Sequence, residues 1–443
     1  MVYWGRSIWL KVRGRFAGRS MRDWERVGGV GRGGLELRWH FVLMVTAAIA
    51  ISYFDRQTLP VAIAAIERTI PISDQQFSYL QSAFLLAYAV MYIVGGRLLD
   101  RLGTRRGFVL IMVWWSAACA LHGLAAGFGL LLVARLLLGM GEGGAFPAAV
   151  RVVAEWIEPE ERSTAVGIIN AGTAVGSVLA APLVARIVLT LGWRAVFFVA
   201  GGLGMVWVVW WAASYRGKAV VESNTLDARV LGARLTLREL IGMNSVRAVV
   251  FAKFMSDSAW YFLLFWLPKY LYDVRGFDVK HVGYYAWIPY AASGLGSFVG
   301  GWYSSRLLRN GRSLDAARKI ALGLSAAFMP AVMLAPLVPV EFSIVLFSVV
   351  FFCQQSWSGL IMTVPADIFP LSAVGTVSGL VGFGGAIGGA IFGVVAGQLL
   401  GHGFGYGTLF VLVGTFHLIG YTAILLFAGK IEPLGAKELR TVL

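Results

Sequence analysis

Twelve stretches of mostly apolar residues run through this chain of 443, centred near positions 52, 86, 116, 140, 176, 204, 260, 294, 327, 353, 385 and 418. A bilayer core is crossed by about 20 residues of helix, and each stretch is of that order. The hydrophobic fraction is 58%, only 14% of residues are charged, and the mean hydropathy is +0.73. A soluble protein of this size needs far more polar surface, so lipid is the solvent for most of the chain. Period-two alternation is absent, and each run far exceeds the roughly 10 residues of a barrel strand. The expected fold class is an all-α membrane protein of twelve transmembrane helices, numbered below as spans 1 to 12.

The net charge is +15. A basic chain suggests nucleic acid as a partner, but here the charges avoid the apolar stretches and gather in the connections, which is a topology signal. With both termini in the cytoplasm, 29 Lys and Arg fall in cytoplasmic segments, six in outside loops and three within spans. The reverse orientation breaks the positive-inside rule. The first 38 residues hold nine Lys or Arg and no signal-peptide core. They read as a cytoplasmic tail, with Met21 an alternative start. Cys119 and Cys353 lie in separate apolar segments, so neither a disulfide framework nor a metal site is expected.

A polar connection from Tyr215 to Arg247 divides the spans six and six. The halves show weak self-similarity: Leu59-Pro60 in span 1 against Leu267-Pro268 in span 7, and Ala154-Glu155 against Ala366-Asp367 at the ends of spans 4 and 10. The expected organisation is a tail (1–38), a six-helix bundle (39–214), a cytoplasmic linker (215–247), a second pseudo-symmetric bundle (248–429) and a short cytoplasmic tail (430–443). Duplicated halves imply alternating access about a site near the midplane.

Between spans 2 and 3 the chain reads Gly96-Arg97-Leu98-Leu99-Asp100-Arg101-Leu102-Gly103-Thr104-Arg105-Arg106. This run resembles the signature loop of the major facilitator superfamily almost completely, and the resemblance implies that superfamily's fold. Gly96 lets another helix approach closely. Asp100 can sit near a helix N-terminus and pair with a loop arginine, holding the cytoplasmic side shut. Gly96, Asp100, Arg101, Gly103, Arg105 and Arg106 are the candidate gating residues. The second copy has Ser305 in the place of Asp100, so its latch is expected to be weaker or built differently.

Charge at mid-membrane marks function by default. Span 1 carries Asp55-Arg56 near its centre, and span 4 carries Arg135 and Glu142. Seven residues are nearly two helical turns, so Arg135 and Glu142 face one way, about 10.5 Å apart along the axis. Two acids and two bases balance formally. A guanidinium binds a carboxylate bidentately, and a solute carboxylate competing for it favours a protonated acid, which couples an anion to protons. The glycine-rich run Gly139-Met140-Gly141-Glu142-Gly143-Gly144 is expected to let spans 1 and 4 touch and to leave room beside Glu142.

Asp55-Arg56 and Arg135 with Glu142 resemble the anion:cation symporter family within the superfamily. Tyr88 with Met91, the stretch Gly139 to Pro147, Glu155-Trp156 and Glu161-Arg162-Ser163 resemble it too. Asp367-Ile368-Phe369-Pro370 and Ala373-Val374-Gly375 look most like the hexuronate-transporter branch. The resemblance covers roughly residues 38 to 430. It implies substrate recognition by Arg56 and Arg135, with Tyr53, Gln57 and Tyr88, and proton coupling by Asp55 and Glu142. Sugar-acid, tartrate and aromatic-acid carriers share much of the pattern.

The second half is polar, largely neutral and aromatic at the midplane. Tyr261, Gln354, Gln355 and Trp357 are its candidate substrate ligands, since amides bond hydroxyls and aromatic faces stack on sugar rings. Gly382 and Ala386 stand where some sugar-acid relatives have asparagines, which argues against an aldonate. Lys253 and Asp257 are spaced to pair, and Lys253 is expected to snorkel to the cytoplasmic interface. Asp367 reads as a gate or cap. No phosphate-binding loop follows Gly217-Lys218 or Gly429-Lys430, so ATP is not the driver. The five histidines show no metal spacing, and no cofactor is expected. The chain reads as a carrier rather than an enzyme: a proton-coupled symporter that takes an organic anion, a hexuronate foremost, across the inner membrane as a monomer. A drug-efflux antiporter is the rival, and two membrane-embedded arginines argue against it.

Overall fold

The computed structural model describes residues 32–157, 162–215, 236–369 and 371–433, with all side chains inside them except those at 32–36, 93, 96, 97, 100, 154, 162–164, 371 and 372. Most of the basic N-terminal tail, the middle of the linker and the end of the C-terminal tail lie outside these residues.

All twelve expected centres fall in helices, and the described residues hold no strand. The first half comprises α1 (Arg32–Glu67), α2 (Asp74–Gly123), α3 (Phe128–Glu142), α4 (Ala145–Trp156), α5 (Arg162–Leu191) and α6 (Trp193–Ser214). The second comprises α7 (Leu237–Gly242), α8 (Asn244–Asp273), α9 (Val279–Tyr285), α10 (Trp287–Arg309), α11 (Leu314–Phe328), α12 (Val340–Ile368), α13 (Leu371–Gly401) and α14 (Tyr406–Phe427). Spans 2 and 3 are joined inside α2, where Gly103 takes φ 74° and turns the chain. That left-handed conformation is open to glycine and strained for other residues. Spans 4 and 9 are each interrupted: α3 gives way to α4, and α11 to the 3₁₀ segment Met329–Leu337. Among the described residues, ten helical segments are long and apolar enough to cross a membrane by composition alone. The helix centred at 294, rich in Gly and Ser, is more polar, which fits its place at the seam between halves.

Before the second half, Thr236 and Glu239 cap α7 reciprocally. The Thr236 backbone N–H and hydroxyl hold the exposed Glu239 carboxyl below its usual range.

The halves meet along two seams, α2 against α13 and α5 against α9 and α10. Glycines grade the first seam. A Cβ at Gly397 would lie 2.2 Å from Ser78, one at Gly393 2.7 Å from Ser82, and one at Gly382 3.5 Å from Tyr92; at Gly379 and Gly375 it would meet nothing within 4 Å. The second seam behaves alike: 2.6 Å at Gly283 against Ala185, 2.9 Å at Gly294 against Ala174, and open space at Gly301 and Gly167. The bundle is therefore shut at the end remote from both termini and splayed at the end that carries them.

Polar contacts lock the shut end. Lys269 on α8 lies 3.1 Å from Glu67 and 3.2 Å from Asp74 of the first half, and 3.0 Å from Asp273. Ser82 donates to Ala390 O at 2.8 Å, and Gln57 Nε2 to Leu264 O at 3.2 Å. Replacing Lys269 by Met leaves three carboxylates facing one another. Partly exposed pairs are each worth up to about 1 kcal/mol, so the shut state should lose about tenfold in population. The check is labelling of a Ser82→Cys reporter by an impermeant maleimide added on that side. Unchanged labelling in Lys269→Met would show that the cluster does not hold the end closed.

Candidate functional site

The midplane of the first half is where the sequence placed its four charges. All four are buried: Asp55, Arg135 and Glu142 are 0% exposed and Arg56 is 1%. Their pairing is unequal. Arg56 Nε donates to Glu142 Oε2 at 2.7 Å, and the Ser52 hydroxyl donates to the same oxygen at 2.6 Å. The Arg56 guanidinium lies 4.5 Å from the Tyr53 ring centroid, 4.6 Å from Tyr88 and 5.4 Å from Phe84, where the ring faces attract a cation.

Asp55 turns elsewhere. Its Oδ2 accepts from Trp115 Nε1 at 2.6 Å, and Oδ1 has no donor. Arg135 has no hydrogen-bond partner on any of its three nitrogens. It stands 5.8 Å from the Phe84 ring centroid, so both guanidinium groups lie against the same phenyl ring. Arg56 Nη1 and Glu142 Oε1 are also unpartnered. The site thus combines one completed ion pair with a buried guanidinium and carboxylate oxygens that lack ligands. Unmet buried polar groups are costly, and native proteins keep them where a ligand or function explains them.

The glycines of span 4 do something other than expected. A Cβ at Gly139 would lie 2.2 Å from Phe84 O, at Gly143 2.6 Å from Tyr88 O, at Gly141 2.5 Å from Trp115 Cβ and at Gly144 2.7 Å from Ile111 Cδ1. They seat span 4 on spans 2 and 3, not on span 1. The close neighbour of span 1 is α5, where Gly176 and Gly172 approach Ala50 O and Thr46 O at 2.1 and 2.5 Å. Glu142 still reaches span 1 through its side chain.

Other residues fall as follows. Gln57 is engaged across the halves: besides its bond to Leu264, its Oε1 accepts from Tyr290 OH at 3.2 Å. Tyr261 packs at the seam against Gly389. Gln354 is 0% exposed and neither amide atom has a partner, while Gln355 is half-buried. Trp357 packs its indole toward span 12, with His417 at 5.2 Å and Tyr421 at 6.5 Å, and its Nε1 has no hydrogen-bond partner. Lys253 is a correction. It does not snorkel but is buried, 2.8 Å from Asp257 and 2.9 Å from Ser358 Oγ.

At the splayed end the hub of the first half is Glu155. It accepts from Thr104, from Arg151 at 3.0 Å and from Tyr215 OH at 2.6 Å. Of the gating candidates, Gly103 makes the turn and Arg105 donates to Ala212 O at 2.6 Å, while Arg101 and Arg106 are exposed. The Asp100 carboxyl lies outside the described side chains, and with it the expected pairing with a loop arginine, as does any contact of Gly96. In the second half the corresponding contacts centre on Arg318. Arg318 grips Asp367 at 2.7 and 3.2 Å and donates to Ser304 at 2.8 Å, so the serine receives the cation and the acid comes from span 10.

Sequence reasoning missed Trp115, Ser52 and Gln81. Gln81 is 1% exposed with both amide atoms unpartnered, one turn from Phe84 on span 2. Polar residues in an apolar span were the available signal, but nothing in the spacing shows which way each turns.

Arg56→Met would strand Glu142 in a dry interior, at a cost of about 3–5 kcal/mol, whereas a shape-matched neutral pair can be close to neutral. Thermal unfolding in detergent should show a large loss for Arg56→Met and near wild-type stability for Arg56→Met with Glu142→Leu. Equal stability of the single variant would show that the pair is not dry.

The model of the "Major Facilitator Superfamily" matches residues 45–392. The "Hexuronate transporter" of Escherichia coli strain K12 is 29% identical over 361 residues, spanning 78% of this chain and 84% of its own. The "Galacturonate transporter" of Dickeya chrysanthemi is 29% identical over 307 residues, 66% of this chain and 89% of its own. The "D-galactonate transporter" of Escherichia coli O6:H1 is 28% identical over 418 residues, 90% and 97%. Among solved structures, a bacterial homologue of the human lysosomal transporter Spinster, in an inward-facing and occupied conformation, superimposes with a TM-score of 0.69. It is 19% identical and covers 88% of this chain and 95% of its own.

Proposed function

From the premise that the chain belongs to the Major Facilitator Superfamily, we propose that it is a secondary carrier that takes up an organic anion, a hexuronate such as glucuronate or galacturonate, together with protons. The observation that carries this reading is Arg135, a buried guanidinium with no ligand beside a completed Arg56–Glu142 pair. A planar five-donor cation without a partner suits a carboxylate, which it can bind through two parallel hydrogen bonds. The relatives named for hexuronate and galacturonate transport support the choice of anion.

Charge balance supplies the coupling. The four residues sum to zero when both acids are ionised. A solute carboxylate arriving at Arg135 adds a negative charge to a site remote from water, and a proton on Asp55 or Glu142 removes the excess. Asp55 is held by the Trp115 indole rather than by an arginine, so taking a proton there breaks no ion pair. Protonation of Glu142 would loosen Arg56, freeing a second guanidinium for the solute. With both termini cytoplasmic, the conformation described is the inward-facing one, and the Lys269 cluster closes the outer end. Arg56 and Arg135 then serve recognition, with Tyr53 and Tyr88 walling the site, and Asp55 and Glu142 serve coupling. The protein works as a monomer in the inner membrane.

Uptake into proteoliposomes tests this. With an inward proton gradient, labelled glucuronate or galacturonate should accumulate, and an uncoupler should abolish accumulation while leaving exchange. Arg135→Met should weaken binding by about 10- to 100-fold, the value of a charge-assisted contact of roughly 1.5–3 kcal/mol. Glu142→Gln should exchange solute across the membrane but no longer concentrate it. Full gradient-driven accumulation by Glu142→Gln would remove it from the coupling role. Transport of cations in place of acids would overturn the proposal.

A further inference from the structure

The second half holds a buried polar cluster that the anion reading leaves unused. Lys253 and Asp257 are each 6% exposed, and they lie one turn apart on α8 with Nζ to Oδ1 at 2.8 Å. The contact is off the hydrogen-bonding direction, so Asp257 Oδ1 still lacks a donor. Lys253 also donates to Ser358 Oγ on α12 at 2.9 Å. An ammonium carries three N–H donors, so at least one remains. Gln354 lies one turn from Ser358 on the same face of α12, and both its amide atoms are buried without partners. Gly385 of α13 leaves space for the carboxylate: a Cβ there would fall 2.1 Å from Asp257 Oδ2. An ion pair costs several kcal/mol to bury, and this one has no helix end or loop beside it to explain it.

We propose that Lys253, Asp257 and Gln354 form the hydroxyl-binding pole of the solute site, opposite the arginine pole of the first half. This deepens the anion-carrier reading and rests on it. The pair is neutral overall, so it does not compete with Arg135 for the carboxylate. It offers a donor from Lys253, an acceptor from Asp257 and both from Gln354, the pattern that vicinal hydroxyls of a sugar ring satisfy. Tyr261, one turn beyond Asp257 on α8, meets Leu85 of span 2 around Gly389, where a Cβ would lie 2.3 Å from the tyrosine ring and 3.0 Å from the leucine, so this face of the second half reaches the seam with the first. A ligand with a carboxylate at one end and hydroxyls at the other therefore spans the halves, and it is the hydroxyl end that the second half reads.

The test compares glucuronate, galacturonate and galactonate with cyclohexanecarboxylate, which keeps the carboxylate and ring size but no hydroxyls. Binding is measured by calorimetry on purified protein. The double variant Lys253→Met with Asp257→Leu removes the pair without leaving a lone charge. It should lose about tenfold or more toward the best hydroxy acid and change little toward cyclohexanecarboxylate, because a polar pocket discriminates through its hydrogen bonds. Gly385→Ala, which displaces Asp257, should act in the same direction. Equal loss for both ligands, or unchanged hydroxy-acid binding in both variants, would overturn the hydroxyl pole while leaving the arginine pole standing. A wild-type protein that binds none of the four acids would overturn the anion-carrier reading and this one with it. A poorly folded double variant is recognised by its thermal unfolding, and Gly385→Ala then decides.

Discussion

Everything at the centre of this protein depends on keeping charge in a dry place. Moving an arginine and a glutamate out of water costs several kcal/mol each, recovered only when they meet with good geometry and further bonds complete them. Arg56 and Glu142 meet much of that demand, with Ser52 adding a hydrogen bond and Tyr53, Tyr88 and Phe84 supplying aromatic faces to the cation, although Arg56 Nη1 and Glu142 Oε1 keep no partner. The neighbouring Arg135 and Asp55 are incompletely satisfied, and that imbalance gives the site its chemistry. The surrounding glycines serve the same end. Without them at positions 139, 141 and 143, span 4 could not lie on Phe84, Tyr88 and Trp115, and Glu142 would not reach Arg56.

The two halves repeat a plan but not its contents. Each ends its fourth span in an acid near the splayed mouth: Glu155 accepts from Arg151 of its own helix and from the Thr104 and Tyr215 hydroxyls, and Asp367 accepts from Arg318. Where the first half draws Thr104 and Tyr215 to its acid, the second uses Arg318 with Ser304. At mid-membrane the difference grows: four charges on spans 1 and 4 face one compact ion pair on span 7 and two amides on span 10. On the reading proposed above, halves that share a plan but differ in side chains can each recognise a different part of a ligand.

Much of this was legible in the residues. Hydropathy located all twelve helical centres, and Asp55, Arg56, Arg135 and Glu142 stood out because charge within an apolar run is rarely accidental. What was hidden depends on rotation and on distant partners. The Asp55 acceptor faces Trp115, 60 positions away, and the glycine run of span 4 faces spans 2 and 3; helical periodicity gives a face but not its neighbour. Lys253 was read as an interfacial cation from its place in sequence, yet Ser358 from another helix anchors it inside. Trp357, three positions from Gln354, packs its indole against His417 of span 12, a partner that the spacing along one helix does not reveal.

The graded glycine seam has a mechanical consequence. Contact between α2 and α13 passes from crowded to absent, with the change near Gly382 and Tyr92. Tyr92 lies 5.8 Å from Tyr88, which covers Arg56. If the halves rock as duplicated bundles do, the fulcrum lies close to the depth of the ion pair. Points near a fulcrum travel least when a lever swings, so a solute held there would stay almost still while the two mouths exchange roles around it. The stroke is spent at the rims, and the charges at the centre need not be dragged through lipid.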